Sequence, residues 1–188
     1  VTISRAATST EFPARFQLIA AMNPCPCGYS GQTRLAFKNA PVCRCTPDQV
    51  QKYIKKISGP LLDRIDLHIE VPAQNATLLL RAPDSESTVD IRNRCIHAQQ
   101  KAIDRQGLPN QSLSGANLEQ YCKLDVATLT YFTDIATHFG WSGRSTHRVL
   151  KVARTIADLA NSKLIERLHL AEAVQYRRPI ANQVSQGI

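Results

Sequence analysis

The chain of 188 residues has no initiator methionine: it opens Val-Thr-Ile-Ser, and its only Met is Met22. That is the pattern expected of a piece of a longer protein. No segment reads G-x-x-x-x-G-K-[ST], so no phosphate-cradling loop is present. No apolar run approaches the length of a bilayer span and no signal peptide is read, so a cytoplasmic protein is expected. In that compartment the six cysteines are expected to be ligands or core residues and not disulfides. Internal repeats and low-complexity segments are absent, which excludes a solenoid. Acidic residues are the scarcer charge, 15 against 23 Lys and Arg, for a net +8 and a pI near 9.4. Such an excess suggests a polyanion partner: DNA, RNA or nucleotide phosphates. With 43% hydrophobic residues, the chain can bury one good core, or a larger lobe plus a small one.

The most informative stretch runs from Phe16 to Cys45. Phe16-Gln-Leu-Ile-Ala-Ala-Met22 is apolar apart from Gln17, which predicts a strand buried on both faces of a mostly parallel sheet. Pro24 stops it, so that Asn23 projects from the strand end, where open α/β sheets hold their ligands. Cys25-x-Cys27 follows, then fifteen residues, then Cys43-x-Cys45. Two close pairs of thiols flanking a hydrophilic loop match the four soft donors that tetrahedral zinc requires. The competing readings are an Fe–S cluster, which also takes four thiolates, and redox-active or unpaired cysteines. Four cysteines leave no open coordination position, so a structural site is favoured over a catalytic one.

Along the rest of the chain, Val1 to Arg5 predicts a short strand, paired through a polar turn at Ala7 to Glu11 with a strand leading from Phe12 into Phe16. Thr46-Pro47-Asp48-Gln49 reads as a capping box opening a helix to about Ile57. Val50, Tyr53, Ile54 and Ile57 lie on one face and Lys52, Lys55 and Lys56 mostly on the other. Ser58-Gly59-Pro60 breaks it. Ile65, Leu67, Ile69 and Val71 alternate with Asp66, His68 and Glu70, which predicts a second strand ended by Pro72, with His68 solvated. Residues 73–86 read as a linker. A second capping box at Ser87 opens a helix to about Gln106, with Val89, Ile96, Ala102 and Ile103 on its apolar side and Cys95 in the core. Period predicts further helices over Asn117 to Tyr121, Val126 to Phe139, Ser145 to Ala160 and Leu168 to Tyr176, with Cys122 a buried thiol.

Two arginines invite chemistry. Arg64, on a tight turn between helix and strand, is placed to reach phosphate charge on a neighbouring molecule; a salt bridge with Asp63 or Asp66 is an equal alternative. Arg144 stands at a helix start, where the macrodipole favours a phosphate. Arg148, Lys151 and Arg154 populate the polar side of the same helix, and a basic solvated surface accounts for such residues on most helices.

Three separated stretches then agree: Phe16 to Gly28 with Asn23, the run Ser-Gly-Pro-Leu-Leu-Asp-Arg-Ile-Asp-Leu-His, and Ser142 to Leu159 with Arg144. Together with Cys-Pro-Cys-Gly and Cys-Arg-Cys they resemble the C-terminal half of the Mg-chelatase-like AAA+ ATPases, the YifB/ComM family. The resemblance implies an α/β partial AAA+ core over residues 1–72, carrying a zinc loop at 24–45, and after the linker an all-α helical lid over 87–188. It implies that Asn23 is sensor 1, orienting the attacking water. Arg64 would be the arginine finger inserted into the adjacent subunit's site, and Arg144 would be sensor 2, with Arg148 its nearest rival. The family's Walker A and Walker B motifs are missing here, so the chain alone is expected to hydrolyse nothing. For the whole protein the resemblance implies a cytoplasmic homo-hexamer using ATP and Mg, with zinc as a structural ion. Such a ring would drive a DNA helicase or branch-migration motor linked to competence and recombination. The alternative is a zinc-stabilised DNA-binding or ring-contact module without ATPase activity. Two buried strands are few for a sheet, so a marginal, self-associating N-terminal lobe is expected beside a better-behaved helical one.

Overall fold

The computed structural model describes residues 1–5, 8–14, 16–31, 41–72 and 85–177. Among them the one sheet is an antiparallel hairpin of β1 (Thr2–Arg5) and β2 (Thr8–Glu11), in register from Thr2↔Glu11 to Arg5↔Thr8. The hairpin is the expected one, but Thr8 to Glu11, which reads as its turn, forms the second strand. Thr8 and Thr10 are β-branched and suit a pleat, and the hydroxyls of Ser4 and Ser9 meet across it at 3.1 Å. Every residue of both strands is exposed, as befits a ladder too small to bury a face.

The two long strands that the sequence predicts do not form. Neither Phe16 to Met22 nor Ile65 to Val71 belongs to a sheet, and their apolar side chains face outward, Ile19 at 84% and Val71 at 81% exposure. The reason is hydrogen bonding: a strand satisfies its N–H and C=O groups only through a neighbour, and no described strand pairs with either segment. Apolar composition alone cannot supply that partner. His68, read as solvated, is half-buried with both ring nitrogens out of solvent.

Helices fare better because their bonds are local. The first, α1 (Pro47–Ile54), is opened by the full capping box, Gln49 N donating to Thr46 Oγ1 at 3.3 Å and Thr46 N to Gln49 Oε1 at 3.0 Å. Val50 and Ile54 are its buried residues. The Ser58-Gly59-Pro60 break is itself a single turn, α2 (Gly59–Leu62), capped by the Ser58 hydroxyl; Pro60 is harmless there because first-turn N–H groups have no helical acceptor.

Then come α3 (Thr88–Gln106), a 3₁₀ turn at Asn110–Ser112, α4 (Gly115–Tyr121), α5 (Val126–His138), α6 (Gly143–Leu159) and α7 (Arg167–Gln175). Ser87, Asp125 and Ser142 accept from the backbone N–H three residues on, and Gly107 closes α3 in the left-handed conformation at φ 74°. The core gathers on α6. Ser145, Val149, Ala153 and Ala157 recur every fourth residue, and the small ones let neighbouring helices approach closely. Leu113, Leu118, Cys122, Phe132, Ile165 and Leu170 fill the rest. Cys122 is buried as expected. Cys95 is not: it is exposed, as are Val89, Ile96 and Ile103, while α3 buries Ala98 and Ala102. The face α3 turns inward carries Arg105 beside Ala98 and Ala102, not its largest apolar residues. Arg105 reaches Asp158, which also accepts from Asn110 and Arg154. Arg154, read as part of a solvated surface, is 2% exposed; it donates to the Ser162 and Lys163 carbonyls as well. Residues 73–84 of the expected linker and 178–188 of the expected lid lie outside the described residues. No described helix is long and apolar enough to cross a membrane.

Candidate metal centre and the arginine loop

Cys25 Sγ stands 3.3 Å from Cys27 Sγ and 3.7 Å from Cys43 Sγ, and Cys27 and Cys43 are 3.5 Å apart. With Cys45 included, all four sulfurs lie within 4.8 Å of one another. Zn–S bonds of about 2.3 Å at tetrahedral angles put sulfurs about 3.8 Å apart, so the set has the dimensions of a zinc or similar thiolate shell. The first pair is folded by a tight turn: Gly28 N donates to the Cys25 carbonyl at 3.0 Å, and Gly28 takes φ +83°, where a Cβ would be strained. The second pair runs straight into the α1 cap at Thr46. Val50, Ile54 and Tyr53 pack on the cluster, joining helix and cysteines into one small core.

The thiols differ. A backbone hydrogen bond from Tyr29, and then a side-chain one with the Cys25 thiol, hold Cys27 down at about 6. Cys43 also receives a backbone hydrogen bond, from Cys45, but burial and the neighbouring Cys27 and Cys25 push it up to about 12. The Cys45 thiol, despite a hydrogen bond with Cys27, is likewise raised by burial and its neighbours. Four thiolates this close repel one another, and a bound dication is what relieves that repulsion. The donor set therefore fits a closed, four-sulfur metal site.

Asn23 is exposed beside the same turn, its side chain 3.8 Å from where a Gly28 Cβ would lie. Arg64 is exposed and donates to the Pro60 carbonyl at 2.7 Å, across α2. It takes neither of its expected carboxylates. Asp63 pairs instead with Arg177, and Asp66 with Arg148. Arg144 is exposed in the first turn of α6. Its rival Arg148 is thus engaged with the loop that carries Arg64. No recorded contact joins Asn23 to either arginine.

What the sequence reading missed is Arg177. Its side chain is 5% exposed, and it donates to the Asp63 carbonyl at 3.0 Å, the Asp63 carboxylate at 3.1 Å, the Ser145 hydroxyl at 2.9 Å and the Ile65 carbonyl. Ser145 Oγ in turn donates to the Asp63 carboxylate at 3.0 Å. Arg177 lies 112 residues from Ile65 in sequence, and no local pattern signals such a contact; an acidic residue on each side of the Arg64–Ile65 pair was the available hint.

Two family models match the chain: magnesium chelatase, subunit ChlI, over residues 1–79, and magnesium chelatase, subunit ChlI C-terminal, over residues 85–177. Among curated proteins, the uncharacterized protein YifB of Salmonella typhimurium is 41% identical over 177 residues, 93% of this chain and 33% of the relative. YifB of Escherichia coli is 40% identical over 177 residues with the same coverage. Competence protein ComM of Haemophilus influenzae is 39% identical over 178 residues, 94% of this chain and 33% of its own length. The chain spans about a third of the length of these relatives, where a half was expected.

Proposed function

The chain belongs to the magnesium chelatase ChlI family, of the YifB and ComM kind, and we propose that it is the sensor-bearing part of a ring-forming ATPase that drives a cytoplasmic DNA motor. In this reading Arg64 is the arginine finger, Arg144 is sensor 2 on its own subunit's nucleotide, and Asn23 is sensor 1. Phosphoryl transfer needs positioned charge more than covalent help from protein. Two guanidiniums supply positive charge where negative charge develops on the γ-phosphate, while Asn23 orients the attacking water. ATP and Mg would be held mainly by Walker motifs, which these residues lack. The competence role comes from the name of the Haemophilus relative.

The observation that supports this reading is the shared anchoring of the two arginines. Arg64 follows Asp63, Arg144 precedes Ser145, and Asp63 and Ser145 are hydrogen-bonded to each other and to Arg177. Both guanidiniums stay exposed at the rim of that assembly. In a longer protein carrying the Walker motifs, Arg64→Ala should lower ATP turnover about 10³-fold or more while leaving nucleotide binding intact. Wild-type turnover would overturn the assignment.

Zinc held by Cys25, Cys27, Cys43 and Cys45 is the structural element of this proposal; with all four positions filled it has no vacancy for water or substrate. The second reading, a metal-stabilised DNA-binding or ring-contact module, is favoured by one feature. The exposed Lys52, Lys55 and Lys56 sit on α1 or just past its end, and α1 packs on the cluster. Its signature is DNA affinity of this chain that falls steeply between about 50 and about 200 mM salt.

A further inference from the structure

Arg64 sits on a loop that the helical part grips at both flanks. On its N-terminal side, Asp63 offers its carbonyl and carboxylate to Arg177 and accepts from Ser145. On its C-terminal side, the Ile65 carbonyl accepts from Arg177, Asp66 pairs with Arg148, and His68 N donates to the Tyr176 carbonyl at 2.8 Å. Within the loop, Asp63 N, Arg64 N and Ile65 N are bonded back to Gly59, Leu61 and Leu62. Between these clamps the Arg64 side chain is exposed, its guanidinium donating to the Pro60 carbonyl at 2.7 Å.

The chemistry of the grip is specific. Arg177 is a cation buried between α6 and the loop, its pKa lowered mainly by burial against the opposing pull of Asp63. A guanidinium has five N–H donors in a rigid fork, and here one fork bridges a carboxylate, a hydroxyl and two main-chain carbonyls. An ammonium at the same place would have three donors and no planar spread. Burying a charge this far is costly unless every donor is used, and a loop that only needed tethering could be held by apolar contacts. The residues that complete the grip, Ser145 and Arg148, lie one and four positions after Arg144 on α6.

We propose that Arg177, Ser145 and Arg148 are positioning residues for Arg64. They fix the loop to the helix that carries Arg144, so that the Arg64 guanidinium is held in a set position relative to α6. This rests on the reading of Arg64 as the finger.

The test uses the longer ring-forming protein. Arg177→Met should lower ATP turnover on the order of 10–100-fold, the cost of misplacing a catalytic group by about an ångström, with nucleotide affinity within about twofold of wild type. Arg177→Lys should recover only part of the loss. In an Arg64→Ala background, Arg177→Met should cost nothing further, because a positioning residue has no effect once the group it positions is gone. Equal, multiplicative losses in both backgrounds, as general destabilisation would give, overturn the proposal. Should Arg177→Met fail to fold, Arg148→Met replaces it, since the Asp66 side chain that it leaves unpaired is 58% exposed. Wild-type turnover in either folded variant also overturns it. Failure of the finger reading is separately visible: Arg64→Ala alone would then retain turnover, whatever Arg177 does.

Discussion

Residues 16–72 and residues 85–177 solve the same problem of burying apolar side chains with opposite success. The helical stretch closes a core in which Leu113, Leu170, Ala153 and Ala157 are fully buried. The earlier stretch leaves Phe16, Ile19, Ile69 and Val71 exposed, and among its described residues the one small core is the four cysteines with Val50 and Ile54. A helix completes its hydrogen bonds within itself and then needs only one partner face. A strand has no stable form until a neighbour is beside it. Burial points the same way as the expectation of a weaker lobe beside a better-formed one.

The sharpest way to break this contrast is to disable the four-cysteine site proposed to hold zinc. Chelation, or Cys25→Ser, should abolish helicity of α1 and leave the thermal transition of residues 85–177 in place. Structural zinc contributes about 10–16 kcal/mol in small zinc modules at neutral pH, and an eight-residue helix does not persist unaided. Hydrogen exchange resolved by segment would read it; unchanged protection over residues 47–54 would show that the apolar contacts suffice.

A smaller effect tests the helical side. Asp158→Ala removes the carboxylate that Arg105, Arg154 and Asn110 share, leaving buried Arg154 without its ion partner, and should cost about 3–5 kcal/mol. The same group predicts acid sensitivity. Burial by itself would raise the Asp158 pKa, but the hydrogen bonds from Arg105 and Asn110 and the charge of Arg154 carry it below the ordinary 3.8. A depressed carboxylate stabilises the fold above its unfolded pKa and loses that contribution as pH falls through the folded value. Thermal melts of residues 85–177 should therefore weaken below about pH 4, and Asp158→Asn should flatten that decline.

Least of all should come from the exposed runs. Ile19→Thr, at a side chain 84% exposed, should change the stability of this chain by no more than about 0.5 kcal/mol. Leu170→Ala in the helical core should cost about 2–5 kcal/mol. Comparable losses in chemical denaturation would mean that Ile19 is covered in solution and would erase the contrast.

The legible parts of this protein are those whose cause lies within a few residues. Thr46, Ser87, Asp125 and Ser142 cap their helices because a side-chain oxygen finds an N–H three residues on. The Cys-x-Cys pairs announce their cluster because spacing within each pair is covalently fixed. Arg64 could not be assigned in the same way: Asp63 and Asp66 were both within its reach, and distant Arg177 and Arg148 took them instead. Arg154 was misread because its position on α6 did not show that residues 162 and 163 return their carbonyls to it.

Sequence by itself determined most of the helices to within a few residues, and the gathering of four cysteines, since each follows from bonds closed over one turn or one short loop. Tertiary structure alone decided which cations are buried, which apolar runs stay in water, and that Arg64 and Arg144 share one hydrogen-bonded mount. Those outcomes depend on competition between partners far apart along the chain, and such a competition is settled only when the packed neighbours are in place.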